Sequence, residues 1–164
     1  MQLLPYTRGC FVCGADNPHG LHVKFHTNAD GQHDARAVQT EFTPHAEHAG
    51  FKGIVHGGIV ASLLDETMFW AAALAMKQFC VSAEMTVRYK RKAAVGHKLF
   101  ITAKTLRHSS RLVETEGEIR DASKTLIAKA TGKFLPLDDA SAAPTLADFY
   151  PDPKALRLFD SQQS

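Results

Sequence analysis

The sequence predicts one α+β domain in which a single long helix is covered by an antiparallel sheet. Three observations lead to this fold class: a long apolar segment without proline, strand-like alternation on both sides of it, and short turn-rich links between the later strands. At 164 residues and 45% hydrophobic residues, the chain is long enough to bury one sizeable core. It is short for two domains, so we expect one.

The helix is predicted over residues 59–76, with Gly57 and Gly58 at its start. Five residues recur at the spacing that lines one helix face: Val60, Leu64, Thr67, Ala71 and Leu74. Because the segment is apolar around most of its circumference, we expect strands to wrap around it. Asp65 and Glu66 interrupt the apolar run well short of the roughly 20 residues that a membrane-spanning helix needs. We therefore predict no membrane span.

Strands are predicted on both sides of the helix. Before it, residues 21–25 and 35–42 alternate apolar and polar side chains around a turn at Asn28–Gly31, which is typical of a hairpin, and residues 43–55 read as a long connecting loop. After it, four segments are separated by short turns, at about residues 79–91, 97–107, 111–120 and 124–135. Such short links predict an antiparallel meander, which brings the sheet to about six strands.

The two ends of the chain are assigned to separate segments. Residues 1–19 form a turn-rich N-terminal leader, residues 20–136 the domain, and residues 137–164 a surface tail with one or two helical turns at Pro153–Phe159. The first residues lack the long apolar run and small-residue cleavage motif of a signal peptide. We therefore expect a cytoplasmic protein.

Charge and cysteine content narrow the function classes. A net charge of +2 and a pI of about 8.5 are too mild to indicate nucleic-acid binding. Cys10, Cys13 and Cys80 cannot all pair within one chain, as a disulfide scaffold would require. Cys10 and Cys13 have the spacing of a zinc or redox pair, and His19 and His22 could complete a zinc site. Because no second such pair follows, we favour small thiols packed in an ordered loop and expect no metal.

The start of the helix carries the first candidate site. Gly57 and Gly58 have no side chains to block approach, and the first free backbone N–H groups of the helix point outward there. Such groups can bind an anion or stabilise the charge that develops on a carbonyl oxygen under attack. Close packing of the loop would explain the glycines equally well. We expect His56 to cap the helix rather than to act directly, because no Ser or Cys nucleophile accompanies it.

Asp65 is the second candidate. It lies seven residues after Gly58, on nearly the same side of the helix but about 10 Å further along the axis. One chain cannot bring the two together, whereas two antiparallel helices across a two-fold axis would place the acid of one subunit beside the amides of the other. The alternative is a solvated acid. Glu66 points about 100° away and is expected to be a structural or rim acid.

Four positive charges follow at the end of a predicted strand: Arg88, Lys90, Arg91 and Lys92. A solvated strand edge is the default interpretation, since lysines discourage edge pairing. Alternatively the cluster attracts the phosphates of an extended ligand. Because side chains alternate along a strand, we expect either Lys90 and Lys92 or Arg91 to face that ligand. Nucleic acid is not expected, because the run contains one aromatic residue and no recognisable module.

Three segments together resemble the hot-dog-fold acyl-CoA thioesterases of the PaaI-like type: HGGIVASLLDE, VSAEMTVRYKRKAAVG and LIAKATGKFLPL. The resemblance spans residues 20–136, and the opening CFVCGADNPHGL is similar to a leader found in one subgroup. It implies a hot-dog fold and a homodimer or dimer of dimers. It also implies hydrolysis of an acyl- or aryl-acyl-CoA to the free acid and CoA, with the CoA phosphates at the surface and the acyl group between subunits.

The resemblance also assigns roles. It implies that Asp65 is the catalytic acid, as general base or nucleophile, and that the Gly58 amide polarises the thioester carbonyl. Gly57 and His56 complete the motif at the helix start. Ser82 matches a polar position near the hydrolytic water in some members. No cofactor is implied beyond the CoA of the substrate.

Substrate contact is further implied at His48 and Gly50, and CoA contact at the four basic residues. This chain has Gly50 where several members carry an Asn or Gln, with His48 two residues earlier. Two rival functions stay open. A dehydratase on the same fold usually pairs a catalytic His with an acid in other motifs. A non-catalytic acyl-CoA sensor would keep the binding surfaces without turnover, and the carboxylate of Asp65 favours hydrolysis over sensing.

Overall fold

The long helix predicted at the centre of the fold runs as α1 from Gly57 to Met76 in the computed structural model, which describes residues 1–28 and 37–159. His56 is its N-cap, and Lys77 ends it in the left-handed conformation, with a φ of 55°. By length and composition α1 could cross a membrane, but it is the core helix of this fold, and half of its most apolar window is buried.

The strands of the described residues follow in chain order: β1 (Gln2–Leu3), β2 (His26–Thr27), β3 (Val38–Phe42), β4 (Ala49–Phe51), β5 (Ile54–Val55), β6 (Cys80–Tyr89), β7 (Leu99–His108), β8 (Val113–Asp121) and β9 (Leu126–Pro136). Seven of them form one antiparallel sheet in the order β1-β2-β3-β7-β8-β9-β6, and β4 and β5 form a small separate hairpin. A long helix packed on this sheet confirms the predicted hot-dog fold.

The four strands after the helix do not form a simple meander. The links between β7, β8 and β9 are hairpins as predicted, but β6 pairs with β9 at the far edge of the sheet. The link between β6 and β7 therefore crosses past two strands. Nine residues can do this, because three strand spacings amount to about 14 Å and an extended residue spans about 3.3 Å. The turn residues at 93–96 correctly predicted that the chain changes direction, but they did not show which strand β6 would pair with.

The first predicted hairpin is only partly correct. Residues 21–25 alternate buried and more exposed side chains as expected, but they are not a strand of the sheet. Their backbone bonds the leader instead, with the Leu21 N–H donating to the Phe11 carbonyl at 2.8 Å. Residues 29–31 of the predicted turn at Asn28–Gly31 and the start of the second predicted strand lie outside the described residues. The predicted loop at 43–55 contains a 3₁₀ turn at Ala46–His48 and the β4–β5 hairpin.

The predicted tail, residues 137–164, is mostly exposed or partly exposed in its described part, but Ala142, Phe149 and Phe159 are buried. The chain after β9 forms a second helix, α2 (Asp139–Leu146), while the expected helical turns at Pro153–Phe159 are absent from that stretch. Beyond α2, the rings of Phe149 and Phe159 pack against Trp70 of α1, with ring centroids 6.2 and 6.4 Å away. The physical reason is the helix itself. An α-helix that is apolar on all sides needs cover on the side that the sheet leaves open, and the tail supplies it.

Candidate active site

Asp65 projects from α1 toward β6, where it meets Ser82. The Ser82 hydroxyl donates a hydrogen bond of 2.7 Å to Oδ1 of Asp65. Asp65 is half-buried and Ser82 is exposed, so the pair lies at the rim between helix and solvent. The structure thus brings two of the predicted catalytic residues together within one chain. Among the described residues, the second carboxylate oxygen of Asp65 accepts no side-chain hydrogen bond.

A β-bulge decides which side chains of β6 face the helix. Directly paired residues of antiparallel strands point to the same face of the sheet, and Ser82 is paired with the fully buried Phe134. Ala83 is the extra residue of a bulge between Ser82 and Glu84, and it moves the alternation by one position. Tyr89 consequently faces α1 as Ser82 does. Because of this one inserted residue, the side chains of Ser82 and Tyr89, near the two ends of β6, both face α1.

The amide of Gly58 is capped by the side chain before it. Nδ1 of His56 accepts a hydrogen bond of 2.9 Å from the Gly58 N–H, so the predicted capping role of His56 is confirmed. A carbonyl oxygen could use this amide only by replacing the imidazole as acceptor. Gly50 packs directly on His56, because a Cβ at that position would lie 3.0 Å from His56 Cδ2. The sequence did not reveal this contact.

His48 supports the same corner from the other side. Its carbonyl accepts the His56 N–H at 2.8 Å, and its Nδ1 accepts the His45 N–H at 2.9 Å. Burial lowers the pKa of His48, which favours the neutral ring that such an acceptor requires. The structure therefore gathers His48, Gly50, His56 and Gly58 at the start of α1. Asp65 lies on the same helix about 10 Å away, so a single chain does not join the two halves of the predicted site.

A cavity of about 280 Å³ opens beside the Asp65–Ser82 pair. Its apolar wall comes from Phe69 and Trp70 of α1 and from Phe79 and Val81 at the start of β6. Its remaining lining includes residues from both terminal segments: Thr7, Cys10, Cys13, Thr145 and Phe149. Reasoning from the sequence missed these residues. The available signal was the presence of large apolar side chains in a tail otherwise rich in Ala, Pro and Asp.

Glu66 faces away from Asp65 and contacts the leader. Its Oε2 lies 3.2 Å from Sγ of Cys10, within hydrogen-bonding distance. Burial, followed by the nearby Cys10, raises the pKa of Glu66 to about 8. A hydrogen bond from the Cys13 thiol, together with backbone N–H groups, lowers the pKa of Cys10. The same hydrogen bond raises the pKa of Cys13. The expectation of a structural acid is consistent with this position. His22 does not join the cluster, since its Nδ1 bonds the Gly14 carbonyl.

The basic run borders the start of α1. Lys90, Arg91 and Lys92 line a groove of about 310 Å³ together with Gly57 and Tyr89, and the Tyr89 hydroxyl donates to the Gly57 carbonyl at 2.9 Å. The expected alternation between Lys90, Arg91 and Lys92 is wrong. The strand ends at Tyr89, and the next two N–H groups both donate to the Ile127 carbonyl, so no period of two operates there.

Arg88 is separated from the other three basic residues. It is paired with Lys129 on the face of the sheet that points away from α1, as the bulge at Ala83 requires. Arg88 is not among the residues that line the groove. The structure therefore divides the predicted phosphate-binding set into three members beside the helix start and one on the opposite face.

Residues 52–128 match the family described as the thioesterase superfamily, and this stretch holds both Asp65 and Ser82. The match covers just under half of the chain. The matched segment contains the whole of α1, β6, β7 and β8, and it also contains the link between β6 and β7 that carries Lys90, Arg91 and Lys92. The predicted resemblance to this family is confirmed.

Three proteins are each similar to this chain over more than half of its length. An uncharacterised protein of Schizosaccharomyces pombe is 30% identical over 99 residues, covering 57% of this chain and 57% of that relative. This chain thus spans little more than half of its length. Zebrafish thioesterase superfamily member 2 is 25% identical, with a TM-score of 0.64 over 75% of this chain and 90% of that one. Another thioesterase superfamily protein is 26% identical, with a TM-score of 0.68 over 78% and 60%.

Two more distant structures share the fold. The PaaI protein of E. coli, from the phenylacetic acid degradation operon, is 20% identical, with a TM-score of 0.60 over 63% of this chain and 74% of that one. A Streptococcus mutans protein whose structure was determined bound to acetyl-CoA is 17% identical, with a TM-score of 0.59 over 62% and 81%. At these identities the likeness establishes the hot-dog architecture, PaaI-like in its arrangement.

Proposed function

We propose that the protein hydrolyses an acyl- or aryl-acyl-CoA thioester to the free acid and CoA. One observation carries the proposal: a carboxylate held by a serine hydroxyl, Asp65 with Ser82 at 2.7 Å, stands at the rim of a cavity with an aromatic wall. A polar reacting group beside an apolar pocket suits a substrate with a reactive carbonyl and an apolar acyl group. The match of residues 52–128 to the thioesterase superfamily supports hydrolase chemistry in general.

Asp65 can act by either of two routes, and each begins with its ionised carboxylate. As a general base it takes a proton from water, the resulting hydroxide attacks the thioester carbonyl carbon, and the C–S bond breaks to release CoA thiolate. As a nucleophile it forms a mixed anhydride as the thiolate leaves, and water then hydrolyses the anhydride. In both routes Ser82 holds one carboxylate oxygen and leaves the other to react.

The carbonyl oxygen of a thioester bound at Asp65 needs a hydrogen-bond donor. The start of α1 in the same chain cannot supply it, because it lies about 10 Å from Asp65 along the helix axis. We place that donor, the Gly58 N–H, on a second copy of the chain in a homodimer, alone or within a dimer of dimers. The edge position of β6 supports this, since its outer ladder groups have no neighbouring strand in the described residues and Val81 and Tyr89 are exposed there. The substrate oxygen would then displace Nδ1 of His56 as the acceptor.

CoA would lie along the groove at the start of α1. Lys90, Arg91 and Lys92 supply positive charge there, and the amino end of the helix adds its own partial positive charge beside Gly57. Phosphate groups favour such a surface. The acetyl-CoA bound by the Streptococcus mutans protein of the same fold supports CoA as the ligand class.

The size of the cavity limits the acyl group. At about 280 Å³, it lies just below the range typical of small-molecule pockets, about 300–1,000 Å³. Phe69, Trp70 and Phe79 present rings to it, which suits a short acyl chain or a single aromatic ring. We expect long-chain acyl-CoAs to be poorer substrates than short or aryl-acyl ones.

The test is release of free thiol from a panel of acyl-CoAs that ranges from acetyl to long-chain and includes aryl-acyl members. We expect steady thiol release with at least one short or aryl-acyl substrate, and its near loss in Asp65→Asn. Tight binding of acyl-CoA without thiol release would contradict hydrolysis and indicate a non-catalytic acyl-CoA sensor. Loss of water from a hydroxyacyl-CoA with the thioester intact would indicate a dehydratase instead.

A further inference from the structure

The leader and the helix meet at a cluster of three side chains that the proposed reaction does not use. Cys10, Cys13 and Glu66 each point one ligand atom at the others, and these atoms all lie within 4.8 Å of one another. Cys13 is buried, and Cys10 and Glu66 are partly buried. Two thiols and a carboxylate on two separate segments are therefore gathered in one small, largely dry volume.

The spacing of the cluster is close to that of a tetrahedral metal site. With Zn–S bonds of about 2.3 Å, two thiolates on one zinc lie about 3.7 Å apart, and a carboxylate oxygen lies slightly nearer. The one measured edge of the cluster, from Cys10 Sγ to Glu66 Oε2, is 3.2 Å. Small adjustments of the side chains would bring all three atoms to bonding distance of a common ion.

The turn that carries the two cysteines directs a backbone N–H at the sulfur of Cys10. The Val12 N–H donates to Sγ of Cys10 at 3.2 Å, and the Gly14 N–H donates to the Cys10 carbonyl at 3.0 Å, which closes the turn. Gly14 is obligatory here, because a Cβ at that position would lie 2.2 Å from the Cys10 carbonyl oxygen. An N–H aimed at sulfur stabilises the deprotonated form that binds metals.

The buried amine of Lys24 interacts electrostatically with Cys13 and Glu66 of the cluster. Nζ of Lys24 is buried, has no hydrogen-bonding partner in the described part of the chain, and lies 2.8 Å from the ring centroid of Tyr6. Burial lowers its pKa, and the charges of Cys13, Asp152 and Glu66 oppose that shift. A divalent ion bound by two thiolates and one carboxylate would carry one net negative charge, which the Lys24 ammonium would offset.

We propose that Cys10, Cys13 and Glu66 form a binding site for one Zn²⁺ ion, or a divalent ion of similar softness. Three protein ligands leave a fourth coordination position, and the cluster lines the same cavity as Asp65 and Ser82. The ion fastens the N-terminal leader to α1 and fixes that wall of the cavity. The site is independent of the proposed thioesterase reaction, because none of its three ligands has a part in it.

The test uses the full-length protein, purified without chelators and analysed for metal content after gel filtration. We expect about one zinc per chain. Cys10→Ser and Cys13→Ser should each weaken zinc binding at least about 100-fold, and Glu66→Gln at least about 10-fold, because even outer partners of ligands cost about 10–100-fold. Cys80→Ser is the matched control. Its thiol lines the same cavity but lies outside the cluster, so its zinc content should equal that of the wild type.

A second measurement needs no variant and so does not depend on the folding of the cysteine mutants. Metal-free wild-type protein is titrated with Co²⁺, and the thiolate-to-cobalt absorption is recorded together with the melting temperature. We expect saturation at about one Co²⁺ per chain, the absorption of two thiolates, and a higher melting temperature with metal.

Three outcomes would overturn the proposal. A Cys10–Cys13 disulfide in the purified protein, with no metal even after reduction, would make the pair redox-active. Two free thiols with no uptake of Zn²⁺ or Co²⁺ would reduce the cluster to hydrogen-bonded packing. Metal binding that persists in Cys10→Ser and Cys13→Ser would place the ion elsewhere.

Discussion

Asp65 and Glu66 are neighbours in the sequence, yet they lie in different surroundings. Asp65 accepts a hydrogen bond from Ser82 and stands at the rim of the cavity, whereas Glu66 points about 100° away and meets Cys10 of the leader. Burial raises the pKa of Glu66 to about 8. The comparison teaches that position around the helix, rather than residue type, decides which polar partner each acid meets. An apolar helix holds two acids because each has its own polar partner.

The sharpest test of this difference compares isosteric amides at the two positions. Asp65→Asn should keep the fold and lower kcat by about 100-fold or more, because it removes the group that takes the proton or attacks the carbonyl. Glu66→Gln should keep kcat within about 10-fold, because Glu66 does not touch the reacting atoms. Steady-state kinetics with circular dichroism would measure both. Equal losses in the two folded variants would erase the distinction between the acids.

The next test asks whether Asp65 works with its own helix start or with that of a partner. Gly58→Ala places a Cβ 2.9 Å from His56 Nδ1 and should disturb the capped amide. Asp65→Asn and Gly58→Ala should each be nearly inactive alone. After subunit exchange at equal amounts, half of the dimers should hold one intact composite site of two, giving about a quarter of wild-type activity. Exchange that restores nothing, or a fully active monomer in light scattering, would confine the site to one chain.

A smaller effect is expected at Ser82. Ser82→Ala should lower kcat by about 10-fold, because Asp65 keeps its carboxylate but loses the hydroxyl that orients it. In a double-mutant cycle, Ser82→Ala should add little to Asp65→Asn, since the serine acts through the acid. Additive losses would mean that Ser82 contacts substrate or water on its own account.

The smallest effect concerns the two faces of the basic run. Replacing Lys90, Arg91 and Lys92 together by Ala should raise KM for acyl-CoA by about 10-fold and leave kcat near normal, since uniform binding is lost. Arg88→Ala is the matched control and should change KM less than twofold, because it points away from the groove. The loss should shrink at high salt, where exposed charges are screened over about 8 Å or less.

A truncated substrate separates phosphate binding from other roles of the basic run. An acyl-pantetheine has no nucleotide phosphates, so the triple substitution should leave its KM unchanged. An equal rise in KM for acyl-pantetheine would assign the three residues to structure or to the acyl site. Measuring both KM values for Arg88→Ala as well shows whether the rise in KM depends on the face of the sheet that carries the charge or on the loss of charge alone.

Local patterns predicted the parts of the molecule that depend on local geometry. The helix span, the cap by His56 and the opposed directions of Asp65 and Glu66 all follow from helical periodicity and the chemistry of helix ends. The place of β6 at the sheet edge did not follow, because a short link does not reveal which strand it passes. Likewise the bulge at Ala83, which turns Arg88 outward, has no signal in an otherwise regular strand.

Contacts between segments that are far apart in the chain were the other feature that the sequence did not predict. The meeting of Cys10 with Glu66 joins positions 56 residues apart, and the packing of Phe149 on Trp70 joins the tail to the helix. Composition marks such residues as apolar or reactive but does not specify their partners. The predicted roles at the helix start needed only neighbours within a few residues, and the cavity wall needed the whole tertiary structure.

The cavity beside Asp65 is lined both by the segment that matches the superfamily and by segments outside it. The acid and Ser82 lie in the segment shared with the superfamily, residues 52–128, whereas Cys10, Thr145 and Phe149 in the cavity wall come from the two ends outside it. Terminal segments tolerate exchange and insertion better than a core helix does. Changes in either terminal segment would therefore reshape the cavity wall and leave Asp65 and Ser82 in place.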